Sequence, residues 1–159
     1  MELHTDASAK AVGAVLLQGT ATTNLHPVAY FSRKLSPTQQ NYSATDREFF
    51  AIIEALGHFW HVLAGLDFIV RTDHEPLTYF FSQPNLSPRQ IRWLDRLTEF
   101  LPGLKLLYQR GKDNLIPDTL SRRPDYLAGP TTGAPVGADA TPGAAIQLTG
   151  DLLTRISAM

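Results

Sequence analysis

The hydrophobic period changes once, and sharply, within the first 64 residues, and that change limits the folds open to the chain. Up to Lys34 the sequence reads as three short strands: residues 2–6 (ELHTD), 10–18 (KAVGAVLLQ) and 26–34 (HPVAYFSRK). Asp6-Ala7-Ser8 is a turn signal and residues 19–24 are a polar loop, so the connections are short and predict an antiparallel meander. Over residues 43–64 the apolar positions Phe49, Ile52, Ile53, Leu56, Phe59, Trp60 and Leu63 recur at helical spacing instead.

The alternation then resumes. Residues 67–72 (DFIVRT) read as a strand bounded by Gly65 and by Asp73-His74. Glu75-Pro76-Leu77 opens a short helix, and Ser87-Pro88 caps another that runs to about Phe100, with proline in its first turn. Residues 104–109 form a fifth strand, and residues 114–118 (NLIPD) start a closing helix. The order is βββαβααβα. A helix that leads from a meander into further strands predicts an α/β fold, a mixed sheet covered by helices.

Composition narrows the function classes. The chain has 159 residues, 43% of them hydrophobic, and no cysteine. That is enough for one ordinary core, and it excludes disulfide frameworks, thiolate metal sites and cysteine nucleophiles. No apolar run reaches the roughly 20 residues that cross a bilayer, and Met1-Glu2-Leu3-His4 is no secretory leader. The net charge of -1 conceals an uneven distribution: residues 1–88 hold 5 basic and 8 acidic side chains. Residues 89–123 reverse this, with 8 basic (Arg89, Arg92, Arg96, Lys105, Arg110, Lys112, Arg122, Arg123) against 4 acidic. Between Pro124 and Gly143, 8 of 20 residues are Gly or Pro, which reads as a linker. The expected organisation is a folded domain over residues 1–125, a linker over 126–143 and a weakly helical segment over 144–159.

Four carboxylates stand where the elements end or turn inward: Asp6 closing the first strand, Asp73 closing the fourth, Glu48 early in the long helix and Asp118 at the last one. Acidic groups at strand ends of an open mixed sheet lie on the rim where ligands bind. Held close together they need cations. Hard oxygen donors favour Mg²⁺ or Mn²⁺, two of which can clamp an in-line phosphoryl displacement. Plainer readings stand beside this one. Asp6 can serve the turn, Thr45-Asp46-Arg47-Glu48 fits a capping box, and Asp118 can complement a helix dipole. Asp73, directly after Phe-Ile-Val-Arg-Thr, is the hardest to assign to a structural role.

Five sequence words occur in series: Thr5-Asp6-Ala7-Ser8; His26-Pro-Val-Ala-Tyr-Phe-Ser-Arg-Lys-Leu35-Ser36; Asn41-Tyr42-Ser43 with Thr45-Asp-Arg-Glu48; Arg71-Thr-Asp-His-Glu-Pro-Leu77-Thr78; and Gly111-Lys-Asp-Asn114 with Pro117-Asp-Thr-Leu-Ser-Arg122-Arg123-Pro124-Asp125. Over residues 2–125 they closely resemble the ribonuclease H domain of gypsy-type LTR-retrotransposon reverse transcriptases. The resemblance implies a ribonuclease H-like fold with a five-stranded mixed sheet. It also implies hydrolysis of the RNA strand of RNA–DNA hybrids by a two-metal mechanism using Mg²⁺, with Mn²⁺ as a substitute. Its metal-binding carboxylates map onto Asp6, Glu48, Asp73 and Asp118. Its partners would be the hybrid, the polymerase domain and an integrase in the same polyprotein. Its location would be intracellular, in a cytoplasmic virus-like particle with a nuclear phase. The alternative is a noncatalytic domain of the same fold that binds nucleic acid or packs on a polymerase.

Further candidates are nucleic-acid contacts. Arg89, Arg92 and Arg96 fall near one helix face that could track phosphates, or could be a solvated face with local pairs such as Arg92 with Asp95 or Glu99. Ser8 and His74 adjoin the acidic positions, and Arg110 and Lys112 occupy the loop before Asp118. Cellular ribonucleases H commonly carry a His in that loop, whereas residues 109–114 here read QRGKDN. Trp93, flanked by Ile91, Leu94 and Leu97, reads as core. His58 and His61 have the spacing of a transition-metal pair but lack a third ligand nearby.

Overall fold

The computed structural model describes residues 1–20, 24–82, 85–98, 100 and 102–127. Five strands, β1 (Glu2–Ala7), β2 (Ala11–Gln18), β3 (His26–Lys34), β4 (Phe68–Thr72) and β5 (Leu104–Tyr108), form one sheet in the order β3-β2-β1-β4-β5. The first three pair antiparallel, as the short loops require. β4 lies parallel to β1, and β5 parallel to β4. Pro27 sits on edge strand β3, where the register shifts opposite Leu16/Leu17. A residue without an N–H is tolerated at such an edge.

Successive strand residues face opposite sides of the sheet. On one side Leu3, Val12, Ala14, Leu16, Phe68 and Val70 join a core with Phe49, Ile52 and Leu56 of α2 (Ala44–His58) and Trp93 and Leu97 of α4 (Pro88–Leu97). Fully burying such a side chain is worth about 1.5–3 kcal/mol. Trp93 is the hub expected of a core residue, with ring centroids 5.5 Å from Phe49 and 5.8 Å from both Tyr42 and Phe50. On the other side Gly13 meets α5 (Leu115–Ser121). A Cβ there would lie 2.5 Å from the Pro117 carbonyl oxygen and 2.8 Å from Leu120 Cβ, so only glycine lets α5 press onto β2.

Three local features depart from the sequence expectation. The long helix ends at His58 and a short α3 (Trp60–Leu63) follows. Phe59 leaves the helical basin between them (φ −95°, ψ 13°). Its side chain stays buried, whereas Trp60 turns outward to 49% exposure. Residues 37–40, which carry no helical period, form the single turn α1 (Pro37–Gln40). The segment Glu75–Ser82 is a 3₁₀ helix, begun by Leu77 N–H donating to the His74 carbonyl at 3.0 Å.

The last described element, α6 (Pro124–Leu127), reaches into the expected linker. Tyr126 packs under Arg123, and its hydroxyl oxygen accepts from Ser32 of β3 at 3.0 Å. The remainder of the expected linker and the segment 144–159 lie outside the described residues. No helix among the described residues is long and apolar enough to cross a membrane.

Candidate metal centre

Because β1 and β4 are parallel neighbours, their C-terminal ends reach the same rim of the sheet. Asp6 is the penultimate residue of β1, and Asp73 is the first residue past β4. Helix α2 brings Glu48 to them. Its cap is Ser43, whose hydroxyl accepts the Asp46 N–H at 3.0 Å, not Thr45 as the capping-box spacing suggested. Glu48 is thereby released from the helix end and turns inward. One carboxylate oxygen from each of Asp6, Glu48 and Asp73 lies within 4.8 Å of the others.

This proximity is electrostatically unfavourable in the protein alone. Asp6 is only 4% exposed. Burial and the charges of Asp73 and Asp118 push its pKa up to about 6, against the opposing hydrogen bond from Ser121. Glu48 is pushed up to about 9 by burial and by Asp6 and Asp73, although it accepts the Ala7 N–H at 3.3 Å. Its other oxygen, Oε2, is buried with no hydrogen-bond partner among the described residues. A buried carboxylate oxygen with no donor, facing two further carboxylates, matches the donor set of a hard divalent cation.

Asp118, the fourth acidic residue expected here, is not one of this close group. Half-exposed on α5, it forms an ion pair with Arg122 one turn on. It is still close enough to raise the pKa of Asp6. The same helix supplies a contact that sequence reasoning missed. The buried Ser121 hydroxyl donates to Asp6 Oδ2 and sits 3.0 Å from the Asp118 carbonyl. Asn114, also overlooked, is 1% exposed and donates from Nδ2 to the Thr5 carbonyl at 2.9 Å, tying the start of α5 to the residue before Asp6. Neither residue type announces itself by period or charge. Their only sequence signal was membership of the words around Asp118.

The other candidates divide. Ser8 is buried, and its hydroxyl is used within the fold, against the Ser121 carbonyl at 2.6 Å and the turn amides of Lys10 and Ala11 at 3.1 and 3.0 Å. His74 Nε2 lies 2.9 Å from Thr45 Oγ1. Burial lowers the His74 pKa, despite the nearby charge of Asp73. Among the described residues Arg89 and Arg96 pair with α2 and not along their own helix. Arg89 bonds Asp46 at 3.2 Å and stacks 3.9 Å over the Tyr42 ring, and Arg96 approaches Glu54 at 3.8 Å. Arg92 is exposed and forms no ion pair among the described residues. Arg110 and Lys112 are exposed on either side of Gly111, where a Cβ would lie 3.1 Å from Asp73 Oδ2. Gly111 therefore brings the backbone of this loop against Asp73, with the two cations flanking it in sequence. The His58 ring stacks 4.7 Å from Phe31, and no metal-ligand group among the described residues includes it or His61.

A family model described as the RNase H-like domain found in reverse transcriptase matches residues 1–100. That range holds Asp6, Glu48 and Asp73 and stops short of Asp118. The retrovirus-related Pol polyprotein from transposon opus of Drosophila melanogaster is 40% identical over 126 residues, covering 79% of this chain and 12% of the polyprotein. The corresponding polyprotein from transposon 412 is 44% identical over 120 residues, covering 76% of this chain and 10% of its own length. The transposon Tf2-3 polyprotein of Schizosaccharomyces pombe is 41% identical over 125 residues, 76% of this chain and 9% of its own. The chain thus spans about a tenth of these relatives. Among solved structures, RNase H1 from the halophilic archaeon Halobacterium salinarum superposes with a TM-score of 0.60 at 21% identity, covering 75% of this chain and 92% of that one. LC11-RNase H1 in complex with an RNA/DNA hybrid gives a TM-score of 0.59 at 17% identity, covering 75% and 91%. At these identities the likeness is one of fold.

Proposed function

The chain belongs to the family of RNase H-like domains found in reverse transcriptases, of the kind carried by gypsy-type LTR-retrotransposon Pol polyproteins, and from that premise we propose that it hydrolyses the RNA strand of RNA–DNA hybrids. The observation that carries this reading is the meeting of Asp6, Glu48 and Asp73 within 4.8 Å, with an unpartnered Glu48 oxygen among them. These three would hold the metal, with Asp118 joining from α5 on release from Arg122. Two divalent ions, Mg²⁺ with Mn²⁺ as a substitute, would supply Lewis-acid activation of water and neutralise charge on the phosphate and the departing 3′ oxygen.

The rest of the work falls to the chain itself. Ser121 orients the Asp6 carboxylate and stabilises its ionised form. Glu48 must give up a proton before it can ligate. Arg110 and Lys112, at the rim beside Asp73, would draw the hybrid's phosphates towards the acids, and Arg92 would extend that contact. Choice of RNA would rest on the 2′-hydroxyl and the minor-groove shape of the hybrid. The polymerase and integrase of the same polyprotein are the proposed partners, with residues 1–127 as the folded module, a tether beyond it, and a cytoplasmic particle as the setting.

The test is cleavage of a labelled RNA–DNA hybrid, beside single-stranded RNA, double-stranded RNA and double-stranded DNA, in Mg²⁺, Mn²⁺ or EDTA. Cleavage confined to hybrid, lost in EDTA and lost in Asp73→Asn with the fold retained, is the expected result. Full activity of Asp73→Asn would overturn the assignment. Binding without cleavage in either metal would favour a noncatalytic module.

A further inference from the structure

The metal ligands are fixed to one another unequally. Glu48 is tied to β1 by the Ala7 N–H, and Asp6 to α5 by Ser121. Among the described residues Glu48 and Asp73 share no such tie, and once both are ionised to take up a cation each repels the other. The gap between their two elements is bridged nearby, among the described residues, by the Thr45 hydroxyl and His74 Nε2 at 2.9 Å. Thr45 lies three residues before Glu48, on the same face of α2, and His74 directly follows Asp73.

Both ends of this bridge are firmly seated. His74 N–H donates to Thr72 Oγ1 at 3.2 Å, and the His74 carbonyl accepts from Leu77 at 3.0 Å. Thr72 and Leu77 are both 0% exposed. On the other side, the Ser43 cap fixes the first turn of α2, in which Thr45 sits. The bridge therefore spans, with little slack, the same interval that the two carboxylates must keep.

We propose that the Thr45–His74 hydrogen bond is a strut that holds Glu48 and Asp73 at metal-binding separation before an ion arrives, making Thr45 and His74 positioning residues of the metal centre. This rests on the metal-dependent hydrolase reading given above. It gives His74 a role different from phosphate contact, since Nε2 is committed to Thr45.

The experiment measures Mn²⁺ binding to the 159-residue protein without nucleic acid, by the electron paramagnetic resonance of free Mn²⁺. Thr45→Val and His74→Phe each remove one end, and each should weaken binding about 3- to 10-fold, the worth of one hydrogen bond. The double variant should be no weaker than either single one, because both remove the same bond. Thr45→Ser, which keeps the hydroxyl, should stay within about twofold of the parent. A purely structural role would lower the melting temperature and leave Mn²⁺ affinity unchanged, and that result would overturn the strut. So would losses that multiply in the double variant, or parental affinity in His74→Phe should Thr45→Val fail to fold. Absence of Mn²⁺ binding by the parent would remove the metal-centre reading as well. A parent that binds Mn²⁺ but cleaves no hybrid would remove only the hydrolase reading.

Discussion

Glu2 and Asp6 stand on the same strand and the same side of the sheet, and each is 4% exposed. Burial raises the pKa of both, yet the outcomes are opposite. At Glu2 burial is outweighed by hydrogen bonds from Arg71 at 2.5 and 3.2 Å and from His4 at 3.0 Å, which hold the carboxyl below its ordinary value. At Asp6 the neighbouring charges are Asp73 and Asp118, and the pKa rises to about 6. Depth alone does not make a site. A buried acid answered by a guanidinium is complete within the chain, whereas one surrounded by other acids requires a cation from outside.

The sharpest way to break this contrast is to neutralise each acid in turn. Asp6→Asn should reduce hybrid cleavage by about 10³-fold, the scale of losing several kcal/mol of metal-assisted stabilisation. In EDTA it should raise the melting temperature, because a like charge has been removed. Glu2→Gln should do the reverse. It leaves Arg71 without its anion and costs about 2 kcal/mol of stability, while cleavage stays within about twofold, because Glu2 is not part of the acidic group. Parallel loss of cleavage in both variants would show that the two acids do not divide the labour in this way.

Only part of this contrast could be read from the residues. The meander, the long helix and the strand leading to Asp73 were legible because alternation and helical period are properties of neighbours along the chain. Ser36-Pro37-Thr38-Gln39 repeats the pattern of Ser87-Pro88-Arg89-Gln90, and both form capping boxes. Only the second precedes an apolar period, so the isolated turn at Pro37–Gln40 carried no further sign of itself. Glu48 was ambiguous from spacing alone: the capping-box reading failed because Ser43 takes the cap and leaves the carboxylate free to turn inward. Ser121, Asn114 and the Glu2–Arg71 pair were not legible, since each depends on contacts between residues 69 to 115 positions apart. The partners of Arg89 and Arg96 were not legible for the same reason. Arg89 and Arg96 find their acids on α2, across a helix interface that period does not reveal.

The same contrast governs the response to pH. Glu48 and Asp6 titrate higher in the fold, at about 9 and about 6, than their ordinary values of 4.5 and 3.8. Between those limits the metal-free fold holds protons that the unfolded chain has released. Stability contributed by these groups is therefore complete below about pH 4 and is lost as pH rises through 6 and then 9. Glu2, with a lowered pKa, contributes in the opposite sense: its share is present above its ordinary range and lost on acidification. Chemical denaturation in EDTA should thus show stability falling from about pH 5 to 9 by a few kcal/mol, since each tenfold change in proton affinity is worth about 1.4 kcal/mol. Glu48→Gln should flatten that slope, and saturating Mg²⁺ should also oppose it, since ion binding favours the ionised carboxylates. A stability that rises over this range would contradict the raised values.

The smallest expected effect extends the contrast from anions to cations on α4. Arg89 is answered by Asp46 and by the Tyr42 ring, whereas Arg92, one turn on, is exposed without an ion pair among the described residues. If unanswered charge marks the groups that meet a ligand, Arg92→Ala should weaken hybrid binding uniformly across sequences and reduce the slope of log affinity against log salt by about 1. Arg89→Ala should leave that slope unchanged and instead cost about 1 kcal/mol of stability, since the pair is partly exposed and its cation rests on an aromatic face. Binding titrations of a catalytically silent Asp73→Asn background, across a range of salt concentrations, separate the two. Equal slopes for Arg92→Ala and Arg89→Ala would mean that pairing within the fold does not decide which arginines face the hybrid, and that the rule drawn from Glu2 and Asp6 stops at the acidic rim.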